Sequence, residues 1–165
     1  MKNKNLSFMT QAAMIAAIYV VLTYIFAPFS FGEVQVRISE ALTILPIFTP
    51  AAIPGLFVGC LIGNILGGAI LPDIVFGSIA TLIGAFFTWK LREQKPVVAT
   101  FPPIISNIII VPFVLRYGYG VTLPIPFMML TVGIGEVLSC GVIGLVLQSA
   151  LKNYSHVIFR DTVKA

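Results

Sequence analysis

The chain has 165 residues, 58% of them hydrophobic and only 10% charged, with a formal net charge of +4. A water-soluble domain carries about 25% charged residues, so this composition excludes an ordinary aqueous surface and makes lipid the main solvent. The basic excess reads as a membrane-topology signal and gives no reason to invoke a nucleic-acid partner.

In chain order, the hydrophobic runs are interrupted at Phe29–Glu33, Pro50–Pro54, Pro72–Asp73, Lys90–Lys95 and Gly118–Pro126. A helix needs about 20 apolar residues to cross a bilayer. The interruptions therefore define up to six spans, near 8–29, 40–50, 53–71, 74–91, 97–117 and 126–150. The second is too short to cross alone and reads as a short or tilted helix buried among the others. The expected fold is all-α: one polytopic membrane domain over 1–165, a six-transmembrane-helix bundle with an extended outer loop between helices 1 and 2.

The first run follows MKNKN, yet it is longer than a signal-peptide core and no A-x-A cleavage site follows, so it reads as the first span. It carries two small-residue pairs at helical spacing, Ala12 with Ala16 and Ala13 with Ala17. Such stripes serve packing inside a bundle or docking of a separate membrane subunit, and the pattern alone does not choose.

Next comes VQVRISEAL, residues 34–42, where a cation and a carboxylate sit one turn apart in an otherwise uncharged region. From Glu33 to Ser39 polar and apolar residues alternate, which is the period of extended chain. The expectation is a loop with Gln35, Arg37 and Ser39 turned to a cavity, and with Ser39 capping a helix that begins near Glu40. An Arg37–Glu40 salt bridge pinning the loop is the plainer alternative, although a buried pair often fails to recover its desolvation cost.

The third run places Gly55, Gly59, Gly63 and Gly67 at every fourth residue, a pattern for close helix packing in lipid. Pro46, Pro50 and Pro54 flank the short second helix. Cys60 and Cys140 lack CxxC spacing and read as small buried hydrophobes, with no metal site implied. Asp73, after a proline at a helix start, reads as an N-cap. Pro112 breaks a hydrogen bond inside the fifth run, as helices bordering cavities often do. Arg116, Tyr117 and Tyr119 read as an interfacial belt, or as aromatics able to close over a flat ligand. His156 lies in a tail with no evident role.

With six spans both termini share a side. That side then holds eight of the ten basic residues, Lys2, Lys4, Lys90, Arg92, Lys95, Lys152, Arg160 and Lys164, which places both termini in the cytoplasm. The ionisable residues left over are few, and an intramembrane charge is costly enough to mark function. By helical rise, Glu136, Asn107 and Asn64 lie in the outer half of the bundle, where Glu40 opens the second helix. Two carboxylates, two amides and Arg37 make a recognition site for a small polar molecule. A guanine-like ring fits: its N–H and amino group offer a planar donor pair to a carboxylate, its carbonyl accepts from Asn or Arg, and Tyr19, Phe29 and Phe31 supply stacking faces. No GxxxxGK[ST] loop occurs, so energised uptake needs a partner. No HExxH pair or nucleophile–base constellation supports an enzyme, and no cofactor is called for.

The block VQVRISEALTILPIFTPAAIPGLFVGCLIGNIL, together with IVFGSIATLIGA and GIGEVLSCG, resembles the QueT family of queuosine-precursor transporters over nearly the whole chain. The resemblance implies a substrate-binding (S) subunit of an energy-coupling factor (ECF) transporter in a bacterial plasma membrane. Such a subunit works with a membrane coupling subunit and two ATPases. It further implies docking through Ala13 and Ala17, and a ligand that is queuine or a related 7-deazaguanine. Glu136 and Glu40 would then accept ring N–H or amine hydrogen bonds and Asn107 would read the ring. Arg37 would close the loop, and Asn64 and Tyr19 would complete the pocket. An S subunit for riboflavin or a pterin, and a stand-alone proton-coupled carrier using Glu136, remain as alternatives.

Overall fold

The computed structural model describes residues 4–30 and 36–159, and every described element is helical. In order these are α1 (Lys4–Ile25), a turn α2 (Ala27–Ser30), a 3₁₀ helix (Ile38–Ile47), α3 (Ala52–Leu66), α4 (Leu71–Lys90) and α5 (Pro96–Phe113). A π-helical turn (Val114–Gly118) closes α5. Then come α6 (Ile125–Glu136), a second π segment (Val137–Ile143), α7 (Gly144–Lys152) and the short α8 (Ser155–Ile158). Four continuous stretches are long and apolar enough to cross a membrane: Lys4–Ile25, Leu71–Lys90, Pro96–Gly118 and Ile125–Lys152.

Solvent preference is reversed relative to a water-soluble protein. Leu130 and Val146 are 61% and 65% exposed, whereas Glu40 and Asn64 are 0% exposed. Large apolar side chains outside and carboxylates inside are the arrangement that hydrocarbon solvent selects.

Close backbone approach builds the frame. A Cβ on Gly55 would meet the Ala12 carbonyl at 2.7 Å, one on Gly59 would meet Tyr19 Cβ at 2.8 Å, and one on Gly63 would meet Thr23 Cβ at 3.2 Å. The glycine row of α3 is thus the groove that seats Ala12, Ala16, Tyr19 and Thr23 of α1. Ala13 and Ala17, one residue round the helix, are exposed. Gly84 makes the equivalent approach between α4 and α5, where an added Cβ would lie 2.7 Å from Pro103 Cα.

Several boundaries differ from the sequence expectation. α3 stops at Leu66 because Gly68 takes a left-handed conformation, φ 77°, and the amides of Gly68 and Ala69 bond back to Ile65 and Asn64. Gly67 is therefore the residue at which the helix ends. The 3₁₀ helix begins at Ile38, so Ser39 lies inside it, accepting a 2.8 Å hydrogen bond from Thr23 Oγ1, and does not cap it. Asp73 likewise sits inside the first turn of α4, whose N-cap position is Ile70. The stretch 31–35, with Phe31, Glu33 and Gln35 of the expected loop, lies outside the described residues. So do Lys2, Arg160, Lys164 and the side chains of Phe29 and His156.

Candidate substrate-binding site

The 3₁₀ helix organises the site. Three residues per turn bring i and i+3 into line, so Arg37, Glu40 and Thr43 form one polar row, answering why a cation and a carboxylate stand so close in VQVRISEAL. Every residue from Ser39 to Pro46 is buried. Ten residues is long for this helix type, which marks strain or function, and here the tighter turn is what aligns the polar row.

Glu40 lies at the centre. Its Oε1 accepts from the Tyr19 hydroxyl of α1, and the Thr81 hydroxyl of α4 lies 3.2 Å from the same oxygen. Its Oε2 is buried with no hydrogen bond to any described residue. Glu136 approaches from the end of α6 and accepts from Cys140 Sγ at 3.2 Å. The π segment that follows turns both Ser139 and Cys140 inward. One ligating atom from each of Glu40, Glu136 and Cys140 lies within 4.8 Å of the others. At an effective dielectric of about 20, two carboxylate charges at that separation repel by roughly 3.5 kcal/mol. The same three donors could gather a divalent cation.

Asn107, from α5, lies beside Glu136. Both atoms of its amide, like the Ser139 hydroxyl, are buried without a hydrogen bond to any described residue. Buried polar groups are almost always satisfied, and an orphaned donor or acceptor costs about 1–3 kcal/mol. Orphans on α5, the π segment and the 3₁₀ helix, gathered around one carboxylate pair, are what a pocket awaiting a polar ligand presents.

A second polar group lies alongside. Arg37 Nη2 donates to Asn64 Oδ1, and Asn64 Nδ2 donates to the Asp73 carbonyl at 3.3 Å. Gly77 makes this possible: a Cβ there would meet Asp73 Oδ1 at 2.9 Å and Asn64 Nδ2 at 3.2 Å. Tyr119 donates to Asp73 Oδ2 at 3.0 Å. Burial and the Asp73 carboxylate raise the Tyr119 phenol above its ordinary value of 10.0. Tyr119 is thereby anchored to α4, while Tyr117 is 78% exposed and stacks on Phe113. Neither tyrosine sits over the carboxylate pair. Arg116 donates to the Val121 carbonyl at 3.1 Å, tying down the α5–α6 turn.

The structure thus brings Tyr19, Arg37, Glu40, Asn64, Asn107 and Glu136 into one buried interior, and leaves Ala13 and Ala17 on the outside of α1. Sequence reasoning missed the polar contacts of Thr81 and Cys140. Both cysteines are buried as expected, Cys60 within the apolar core, and they also meet polar neighbours: Cys60 accepts from Thr81 at 3.4 Å, and Cys140 spans Glu136 and Thr43. Helical spacing held the signal, since Cys140 is four residues after Glu136 and Thr81 four after Gly77.

A helical membrane protein with an apolar exterior and buried polar groups that lack hydrogen bonds among the described residues has the build of a small-solute carrier or capture protein. Comparison with known families makes this specific: residues 9–153 match the family described as QueT transporter, and the chain belongs to that family. The queuosine precursor transporter QueT of Lactococcus lactis subsp. cremoris (strain MG1363) is 33% identical over 84 residues, 50% of this chain and 48% of that protein. The aligned stretch thus spans about half the length of that relative. No solved structure matches the chain.

Proposed function

We propose that this protein is the substrate-capture subunit of an ECF-type importer, binding queuine or a related 7-deazaguanine for ATP-driven uptake by partner subunits. The observation that carries the reading is the set of unsatisfied buried groups, Glu40 Oε2, Asn107 and Ser139 Oγ, beside Glu136. A deazaguanine offers what they lack. Glu136, which accepts from the weak Cys140 thiol donor and has Asn107 beside it, takes the planar N–H and amino pair. Asn107 has a donor for the ring carbonyl and an acceptor for a ring N–H. Arg37 and Asn64 flank the site from the 3₁₀ helix and α3, and Tyr19 holds Glu40 in place.

The docking role falls to Ala13 and Ala17. Their inward neighbours Ala12 and Ala16 are already engaged by α3, so the outward pair is free to meet a coupling subunit. The chain forms one membrane domain of six helices, four long and two short, in a bacterial plasma membrane. Lys4, the Lys90–Lys95 turn and Lys152 share the cytoplasmic side.

Titration of queuine against the purified full chain tests the proposal. Wild-type protein binds, and Glu136→Ala abolishes binding while the melting profile shows a folded protein. Unchanged affinity in Glu136→Ala, or binding of riboflavin or a pterin in place of queuine, overturns it.

A further inference from the structure

On the outer surface of the bundle, α4 and α5 enclose an apolar groove of about 790 Å³, walled by Ile83 and Phe87 on one side and by Val98, Phe101 and Ile105 on the other. These five side chains are 38–52% exposed. Along α5 the groove runs from Val98 to Ile110, roughly 18 Å at helical rise, close to half of a roughly 30 Å hydrocarbon layer. Ser106 also lines it, but its hydroxyl already donates to the Ala80 carbonyl at 3.0 Å. The walls thus offer a polar solute nothing and match the depth of one lipid leaflet.

One end of the groove is charged. Lys90, at the end of α4, lies in the lining and is exposed, its amine 5.4 Å from the Phe86 ring. Arg92 and Lys95 follow in the turn, against the single carboxylate of Glu93. A lysine at a span's end lays its methylenes on apolar surface and keeps its ammonium at headgroup level. Past Ile109 and Ile110 a second groove of about 460 Å³ continues toward Tyr117, with no cation in its lining. The size of the walls separates the two occupants a membrane groove can have. Helices pair in lipid through small residues, as α3 does through Gly55, Gly59 and Gly63, whereas phenylalanine and isoleucine line this groove.

We propose that the α4–α5 groove is a binding site for an anionic phospholipid, with an acyl chain lying between Phe87 and Phe101 and the phosphate held by Lys90. Apolar walls recognise the chain, and the basic end selects an anionic headgroup over a zwitterionic one. Each basic side chain near a membrane surface is worth about fivefold in binding to anionic lipid. The site is separate from the buried carboxylates and does not depend on which solute they take.

The test is native mass spectrometry of the purified full chain, stripped of lipid in detergent and titrated with phosphatidylglycerol or phosphatidylcholine of identical palmitoyl-oleoyl chains. Wild type binds phosphatidylglycerol about fivefold or more tightly than phosphatidylcholine. Lys90→Gln lowers phosphatidylglycerol affinity about fivefold and leaves phosphatidylcholine binding unchanged. Ile105→Trp, which fills the groove from an exposed position, weakens both lipids. Lys152→Gln, which removes a cation at the end of α7, changes neither. Equal binding of the two lipids by wild type overturns the proposal. So does a Lys90→Gln effect no larger than that of Lys152→Gln, the result that diffuse attraction to basic ends would give. Undiminished lipid binding by Ile105→Trp overturns it too, and loss of whole-cell uptake in that variant would then assign the groove to a partner helix. The wild-type comparison needs no variant and no transported solute, so its failure leaves the queuine reading standing.

Discussion

Replacing Gly59 with alanine tests whether the α1–α3 contact positions the ligand site. A Cβ at this residue would lie 2.8 Å from Tyr19 Cβ and 3.0 Å from Ala16 Cα. Carbon atoms pack at about 3.5–4.0 Å, so α1 must move away from α3 by roughly 0.7–1 Å. Neither neighbour is the end of a flexible side chain, and the strain cannot be relieved by a rotamer change. Overpacking of this kind costs about 1–3 kcal/mol, offset by about 0.5–1 kcal/mol from replacing a helical glycine. The net loss is therefore up to about 2.5 kcal/mol. The displaced residue is Tyr19, whose hydroxyl orients Glu40, so queuine affinity falls along with stability. Gly141→Ala is the control, since its nearest contact would be Val137 Cγ1 at 3.7 Å. Thermal unfolding in detergent and ligand titration read both effects. A Gly59→Ala protein as stable as Gly141→Ala, with undiminished affinity, refutes the argument.

Other perturbations separate the remaining parts. Ala17→Leu, on the exposed side of α1, abolishes uptake in whole cells while the purified variant binds queuine as wild type does; full uptake would rule out this surface. Gly68→Ala costs about 1–2 kcal/mol through backbone strain alone, because nothing lies within 4 Å of the added methyl and φ is +77°. Gly68→Asn should recover part of that loss in thermal melts, and equal melting of the two variants would contradict the strain account. Tyr119→Phe removes the donor to Asp73 and costs about 0.5–1 kcal/mol, the lower end for a partly exposed hydrogen bond. Because folding raises this phenol's pKa, its contribution is complete below pH 10 and is lost as pH rises through the elevated value. Melts taken at pH 7 and at successively more alkaline pH should therefore show the advantage of wild type over the variant shrinking as pH rises.

The sequence carried the broad architecture because hydropathy and helix punctuation are local properties. The row at Gly55, Gly59 and Gly63 announced a close helix contact, and α1 fills it. Glu40, Asn64, Asn107 and Glu136 stood out because a polar residue in an apolar run must face inward. The exact helix ends were less legible. Alternation around Arg37 suggested extended chain up to Ser39, whereas tertiary packing winds Ile38–Ile47 into a 3₁₀ helix whose threefold period places Arg37 and Glu40 together. Thr81 and Cys140 escaped notice as polar neighbours because each is unremarkable in a membrane helix, and only the fold shows that they adjoin a carboxylate. The π segment after Glu136 has no comparable local signal, since its widened turn depends on what the inward side chains meet.

The short reach of α3 has a consequence for how charge is tolerated here. Fifteen residues extend about 22 Å, well under the roughly 30 Å of a hydrocarbon layer. Where a helix falls short, lipid headgroups dip or water descends to meet it. Asn64 lies in the last turn of α3, and Arg37 and Asp73 gather around it. This polar cluster therefore lies nearer the headgroup level than the end of a full-length span would, which lowers the cost of holding it within a membrane helix bundle.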